Sequence, residues 1–598
     1  MNRLAFLVLF AALIAAKLDG AERENRAQAP SVEAISGKPN LSIGSYDVGE
    51  FGYLVEEFFV SGNASSYKLA GEPTADGRWE ALPATNAPYA TRLVVIRPRD
   101  PAKFSGTAVV EWLNVTGGFD VPVEWTMVHR EIARRGHAYV AVTAQKVGIE
   151  GKPNAQGAGS GALKKADPAR YGRLSHPGDA HAFDIFSQAG ALVKNAAGSR
   201  VLGPLVPARV IAAGESQSAY YLTTYATAID PVAKVYDGFL IHSRFGQAAP
   251  IDGSLMALVT GTAPVLRLRP DLRVPVLTVN TESDVLGFSS LKGTWEARQP
   301  DAEKLRTWEI TGSAHADNYV FSVGYIDSGS LPIEKLAAAF APTSKSVGRK
   351  MDQPINFGPQ HHYVVQAALW QLERWVRTGE SAPKAPELNL TDDRPRKLLT
   401  DAHGIAEGGL RTPWVDVPTA VLSGAGSMVG FGKPFDAATL ERLYPGGKDD
   451  YLKKFEASLD TAIARGFIVP EDKAEIIGLA RFSFVNNEDF NRKEVVGSWK
   501  LSFNPGDNER EATLTIARDG AGLKAAYKDG DRKFDVTKIE FKDGKLVFST
   551  ETKRDGEKST ATFEGKIEDG VISGEASWEY QGMTGSFPFT GKREAVKP

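Results

Sequence analysis

Apolar and polar positions follow two different rhythms along this chain. Up to about residue 485, short apolar or alternating runs take turns with segments whose apolar residues recur at helical spacing. The runs at 53–60, 90–96, 106–112, 137–144, 237–242, 273–280 and 305–311 predict strands, and 125–135, 183–194 and 363–379 predict helices. Strand and helix follow each other from 106 onward, which predicts an α/β fold with a mostly parallel sheet. Residues 404–434 are rich in Gly and Pro and predict irregular structure lying across that sheet, followed by helices at 437–443, 449–465 and 470–480. From Gly497 the rhythm changes to short alternating runs separated by Gly and Asp turns at hairpin spacing. This predicts an antiparallel all-β barrel or sandwich over 495–598, after an α/β domain over 46–490.

The beginning of the chain fits neither pattern. Arg3 precedes the unbroken apolar run 4–16, which is too short to span a bilayer, so residues 1–21 read as a secretory signal peptide cleaved after Ala21. Residues 22–45 are polar and read as a loosely ordered leader, and the protein is expected to be secreted or periplasmic.

Composition narrows the chemistry. The 598 residues are 42% hydrophobic and 24% charged with a net charge of −3, an ordinary globular balance with no footprint for nucleic acid. No later stretch could span a membrane. The absence of cysteine excludes disulfides, a thiolate nucleophile and thiolate metal sites.

One stretch concentrates the remaining candidates. Val210-Ile211-Ala212-Ala213-Gly214-Glu215-Ser216-Gln217-Ser218-Ala219 reads as strand, sharp turn and helix, with a serine on the turn. It departs from G-x-S-x-G at Ser218. Downstream, the strand 273–280 runs into Thr281-Glu282-Ser283-Asp284, and the strand 305–311 into Gly312-Ser313-Ala314-His315. The order Ser, acid, His is that of a nucleophile activated by an imidazole, which is itself oriented by a carboxylate. Ser216 is therefore the candidate nucleophile, His315 the base and Asp284 the acid. Glu282 is a competing acid, and His361 and His362 are competing bases expected on a surface or pocket wall. The amide of Gln217 is a candidate oxyanion donor, with Val115 or Thr116 of Leu113-Asn114-Val115-Thr116-Gly117-Gly118 as the second.

Other clusters carry less. Residues 148–161 hold many glycines without the spacing of a phosphate-binding loop, and read as a loop over the pocket. His176, Asp179, His181 and Asp184 have no spacing suited to a metal, so no metal or cofactor is expected. Trp499, Tyr527 and Trp578 of the β-domain could contact carbohydrate or another polymer, although core packing is the expected role.

Several of these motifs together resemble a bacterial family of secreted proteins with an α/β-hydrolase domain. They are Val110-Glu111-Trp112-Leu113-Asn114-Val115, Arg170-Tyr171-Gly172, Gly214-Glu215-Ser216-Gln217-Ser218, Glu282-Ser283-Asp284, Gly312-Ser313-Ala314-His315-Ala316-Asp317 and Arg411-Thr412-Pro413-Trp414-Val415-Asp416-Val417-Pro418. The resemblance covers roughly residues 45–485 and implies a serine hydrolase acting on carboxylic esters, small or polymeric. An amidase or acyltransferase would use the same residues. A catalytically silent polymer-binding protein is the reading from a different class.

Overall fold

The computed structural model describes residues 29–151, 161–346, 349–484, 495–504, 509–519, 522–542, 544–554, 557–568 and 570–594. The expected signal peptide, most of the glycine-rich loop and the expected domain boundary near residue 490 lie outside these residues. The chain forms two compact units, one of residues up to Pro434 with Leu452–Arg481, the other of Phe435–Tyr451 with the residues from Phe482 on.

The first unit is built on a nine-stranded sheet. Its strands in chain order are β1 (Ser31–Ile35), β2 (Tyr53–Leu69), β3 (Ala81–Pro98), β4 (Thr107–Trp112), β5 (Ala138–Val142), β6 (Arg209–Glu215), β7 (Gly238–His242), β8 (Val276–Thr281) and β9 (Leu305–Ile310). The spatial order is β1-β2-β3-β5-β4-β6-β7-β8-β9. Strands β4 to β9 pair in parallel, while β1, β2 and β3 join one edge antiparallel. Most of the parallel strands are rich in apolar residues because both their faces are covered, while β9 carries Arg306 and Glu309 among its apolar positions. Helices α1 (Val123–Arg135) and α5 (Gln360–Thr378) pack together, α5 also against β7 and β8. Helices α2 (Ala182–Lys194) and α3 (Gln217–Thr224) contribute to a core that contains Trp112, Phe183, Phe186 and Tyr221. The Trp112 ring stacks on Tyr221 with centroids 5.0 Å apart.

Register decides where the chemistry can gather. Glu215 pairs with His242, His242 with Val279, and Thr281 with Ile310, so β6 to β9 end at one level. The residues that follow these ends emerge together at the carboxyl edge, where open α/β sheets bind their ligands.

The structure corrects two expectations. Part of the leader is sheet: Ser31–Ile35 pairs antiparallel with β2 through Ser31↔Ser61 to Ile35↔Glu57. An edge strand with one apolar side needs few apolar residues, so its polar composition hid it. The irregular segment contains a hairpin of β10 (Ala420–Ser423) and β11 (Phe431–Pro434), whose importance appears at the site.

In the second unit, strands Gly497–Phe503, Arg510–Asp519, Gly522–Asp529, Arg532–Lys542, Lys545–Arg554, Glu557–Glu568, Val571–Tyr580 and Met583–Arg593 close into an antiparallel barrel. Closure comes from pairing of the first strand with the last, Trp499↔Arg593 to Phe503↔Phe589, which leaves no free edge. The barrel has a side-chain core: Trp499, Leu501, Phe503, Leu514, Tyr527, Phe548, Phe563 and Phe589 are buried together. Phe548 stacks on Phe563 at 4.5 Å. Trp499 and Tyr527 thus serve packing, and half-buried Trp578 lies over Gly585 on the neighbouring strand, where a Cβ would come within 2.7 Å of its ring.

Candidate active site

Strand β6 ends at Glu215 and helix α3 starts at Gln217, leaving Ser216 alone on the turn with φ 59° and ψ −117°. A non-glycine residue at positive φ is strained, and the strain is held by the packed strand and helix on either side. That packing also explains the motif. A Cβ on Gly214 would meet the Ser218 Cβ at 2.9 Å and Leu222 Cδ1 at 3.0 Å, so glycine is required at 214, and its missing side chain makes room for serine at 218.

Three candidates meet. Ser216 Oγ lies 2.8 Å from His315 Nε2, and His315 Nδ1 lies 2.6 Å from Asp284 Oδ1. The other Asp284 oxygen accepts from the Thr281 N–H at 2.7 Å and its hydroxyl at 2.8 Å. Thr281 caps the short helix α4 (Glu282–Leu286), so the end of β8 itself fixes the carboxylate. Burial pushes the Asp284 carboxyl up, but the imidazole and the Thr281 bonds outweigh this and hold it below the usual range. Burial lowers the His315 pKa, yet Asp284 and then Glu215 outweigh it, and the imidazole titrates above its ordinary value. Phe245 and Phe288 flank the His315 ring at 5.6 and 5.0 Å. Ser216 is 9% exposed and His315 3%, so this row is reached only through a restricted approach.

Glu282 is not part of it. Its Oε1 accepts the Gly312 N–H at 2.6 Å, and its Oε2 accepts the Ser423 hydroxyl and the Gly424 N–H, each at 2.8 Å. It ties the turn after β9 to the β10–β11 hairpin, and burial lifts its pKa to about 7. His361 and His362 are also elsewhere, and both are fully buried rather than on a surface. His362 stacks on Tyr319 at 3.8 Å. His176 accepts from the Gly178 N–H and pairs with the Ala144 carbonyl, while Asp184 accepts from Ser65 and Gln188. Among the described residues no three His, Asp or Glu side chains group as metal ligands, and no helix is long and apolar enough to cross a membrane.

The two oxyanion candidates differ. The Gln217 N–H, at the free start of α3, donates to no group among the described residues. The Val115 N–H donates to the side-chain oxygen of Gln217 at 3.0 Å, and the Thr116 N–H to Asn114 Oδ1 at 2.8 Å. The Gln217 carboxamide continues to Gln145 at 2.5 Å, and Gln145 to Asp179 at 3.1 Å. In this state Val115 is therefore occupied, an arrangement that a motif read on its own does not reveal.

Sequence reasoning missed two features. Glu215 sits beside the serine with Oε1 3.6 Å from His315 Nε2, the nitrogen that faces Ser216, and burial pushes its pKa up to about 8. Its signal was a lone acid ending a charge-free strand. Beneath the turn runs a buried row in which His242 bridges Glu124 at 3.1 Å and His361 at 2.9 Å, and His361 reaches Asp317 at 3.2 Å. The His242 carbonyl accepts the Ser216 N–H at 3.0 Å, so this row backs the turn directly. No sequence signal pointed to it.

No curated protein matches the chain. Among solved structures, a Klebsiella pneumoniae protein assigned as a dienelactone hydrolase is 13% identical, with 46% of this chain and 93% of that one aligned and a TM-score of 0.25. An esterase of Rhizomucor miehei is 13% identical over 53% of this chain and 85% of its own, with a TM-score of 0.24. A thermostable esterase of Pseudomonas putida ECU1011 is 14% identical over 41% and 74%, with a TM-score of 0.22. The family model of the alpha/beta hydrolase domain matches residues 21–478, and the chain belongs to that family.

Proposed function

We propose that this protein is an exported serine hydrolase that cleaves carboxylic esters through an acyl-enzyme. The observation that carries the proposal is the row from Ser216 through His315 to Asp284, with separations of 2.8 and 2.6 Å. A serine hydroxyl is a weak nucleophile at neutral pH and needs an adjacent base. As Ser216 Oγ bonds to the ester carbon, His315 Nε2 takes its proton, and Asp284 holds the imidazolium in place. The carbonyl electrons pass to an oxyanion beside the Gln217 N–H, and Val115 joins once the Gln217 carboxamide turns away. Collapse breaks the bond to the alkoxy oxygen, which takes the proton from His315 and leaves as the alcohol. Water, deprotonated by His315, then attacks the acyl carbon and releases the acid and Ser216.

The restricted approach to Ser216 favours small acyl groups, and the apolar run 4–16 after Arg3 supports export. The aromatic residues packed inside the barrel favour the hydrolytic reading over polymer binding as the protein's main role. Turnover of p-nitrophenyl esters of graded acyl length, set against matching anilides, tests the proposal. Hydrolysis of the acetate ester, falling with acyl length and lost in Ser216→Ala, is expected. Turnover of anilides alone would replace the esterase with an amidase.

A further inference from the structure

A small cavity away from Ser216 lies over the faces of β8 and β9. Its walls include Arg244, Asn280, Thr294, Arg298, Glu309 and Glu387. Arg244 is buried, and its guanidinium meets only backbone carbonyls: Nε donates to Phe245 and Nη2 to Leu266. No carboxylate pairs with it among the described residues. The two carboxylates on the wall are turned to Arg298 instead: both Glu309 oxygens accept from it and one also from the Leu388 N–H, and exposed Glu387 lies 3.6 Å from it. The buried Thr294 hydroxyl has no partner, and neither end of the Asn280 carboxamide forms a hydrogen bond among the described residues. A buried charge without a counter-charge is costly, so a cavity with such a wall calls for an ion of opposite sign.

We propose that this cavity binds one small monovalent anion, a halide such as chloride, held by the free Nη1 edge of Arg244, the Asn280 carboxamide turned with its NH2 inward, and the Thr294 hydroxyl. Size selects the class. The cavity measures about 30 Å³, where roughly 10–15 Å³ suffices for one water, so a single-atom ion fits and a tetrahedral oxyanion does not. Water alone would satisfy the hydroxyl and the amide but would leave the guanidinium charge uncompensated. Burial lowers the Arg244 pKa to about 10, which still leaves it cationic at neutral pH. The ion would also steady the active-site wall, since Arg244 bonds to the carbonyl of Phe245 and the Phe245 ring stacks on His315 at 5.6 Å.

Crystals of the full chain soaked in sodium bromide test the site directly, with thermal unfolding in sodium chloride against sodium gluconate at equal ionic strength as the second measurement. An anomalous peak between Arg244, Asn280 and Thr294 is expected, as is a melting temperature higher in chloride by roughly 1–3 °C. Thr294→Val should shrink that chloride increment, and Arg244→Gln should abolish it. No bromide peak and equal melting in both salts would mean that the cavity holds water only. A chloride increment unchanged in Thr294→Val and Arg244→Gln would place any halide effect elsewhere. If Arg244→Gln does not fold, the bromide peak in the unaltered protein and the Thr294→Val increment decide.

Discussion

Ser216 owes its position to its backbone, and the reactivity proposed for it to one imidazole. The roles of the two nearby acids follow from what each oxygen touches. Asp284→Ala removes the partner of His315 Nδ1 and is expected to lower kcat on a small aryl ester by about 10³–10⁴-fold, whereas Glu282→Ala should lower the urea midpoint more than kcat. The reverse ranking, measured on the two purified variants, would contradict the assignment. Glu215 acts on the same ring from the other side. Its negative form favours the imidazolium, but burial confines that form to pH above about 8, so Glu215→Gln should leave the acid limb of the kcat/KM profile in place. A limb moved to lower pH would mean that Glu215 is ionised while His315 titrates. At this scale, the sequence revealed the residues that follow strand ends: Ser216, Asp284 and His315 each come within four residues of the end of a strand-like run. It favoured Asp284 but left Glu282 as a competitor, because the two share one helical turn and differ only in what faces them. It held only a faint signal for Glu215 and none for His242, whose importance comes from neighbours distant in the chain.

The turn between β6 and α3 is the element on which the site depends. Gly214→Ala drives a methyl group to within 2.9 Å of Ser218 Cβ, and should cost about 1–3 kcal/mol in urea unfolding through overpacking. A neutral result would mean that strand and helix separate freely. Gln217 offers two amides with different expected roles. If the backbone N–H is the oxyanion donor, Gln217→Ala keeps it and also frees Val115, so kcat should hold or rise; a fall of about a hundredfold would instead make the carboxamide the donor. Elements were legible wherever burial imposed a period, as in the parallel strands and α5. The edge strand Ser31–Ile35 escaped because it is held by backbone pairing, which leaves little trace in side-chain pattern, and β10, although buried, because four residues among Gly and Pro are too few to show a period.

Across the whole molecule, the two units should answer separately to substitution. Trp499→Ala in the barrel core is expected to cost about 3–5 kcal/mol in that unit's unfolding while leaving ester hydrolysis intact. The barrel was the easiest fold feature to read, because alternation and Gly-Asp turns persist over its full length, although only the pairing of first and last strands distinguishes barrel from sandwich. Buried carboxyls set the pH response of the hydrolase unit. Burial raises Glu111 and Glu124 to about 8, so their protonated forms stabilise the fold fully below the ordinary carboxylate range, and that contribution is lost as pH rises toward and through 8. Urea unfolding at about pH 6 and about pH 9 should therefore show a larger loss in the unaltered protein than in Glu124→Gln. The central claim, that Ser216 is a nucleophile activated by His315, is tested most directly by mass spectrometry of the protein after treatment with a fluorophosphonate. One phosphonyl adduct on the peptide containing Ser216, absent from Ser216→Ala and much slower to form in His315→Ala, is the predicted result. An unmodified Ser216 in a folded protein, or labelling that is indifferent to His315, would contradict it.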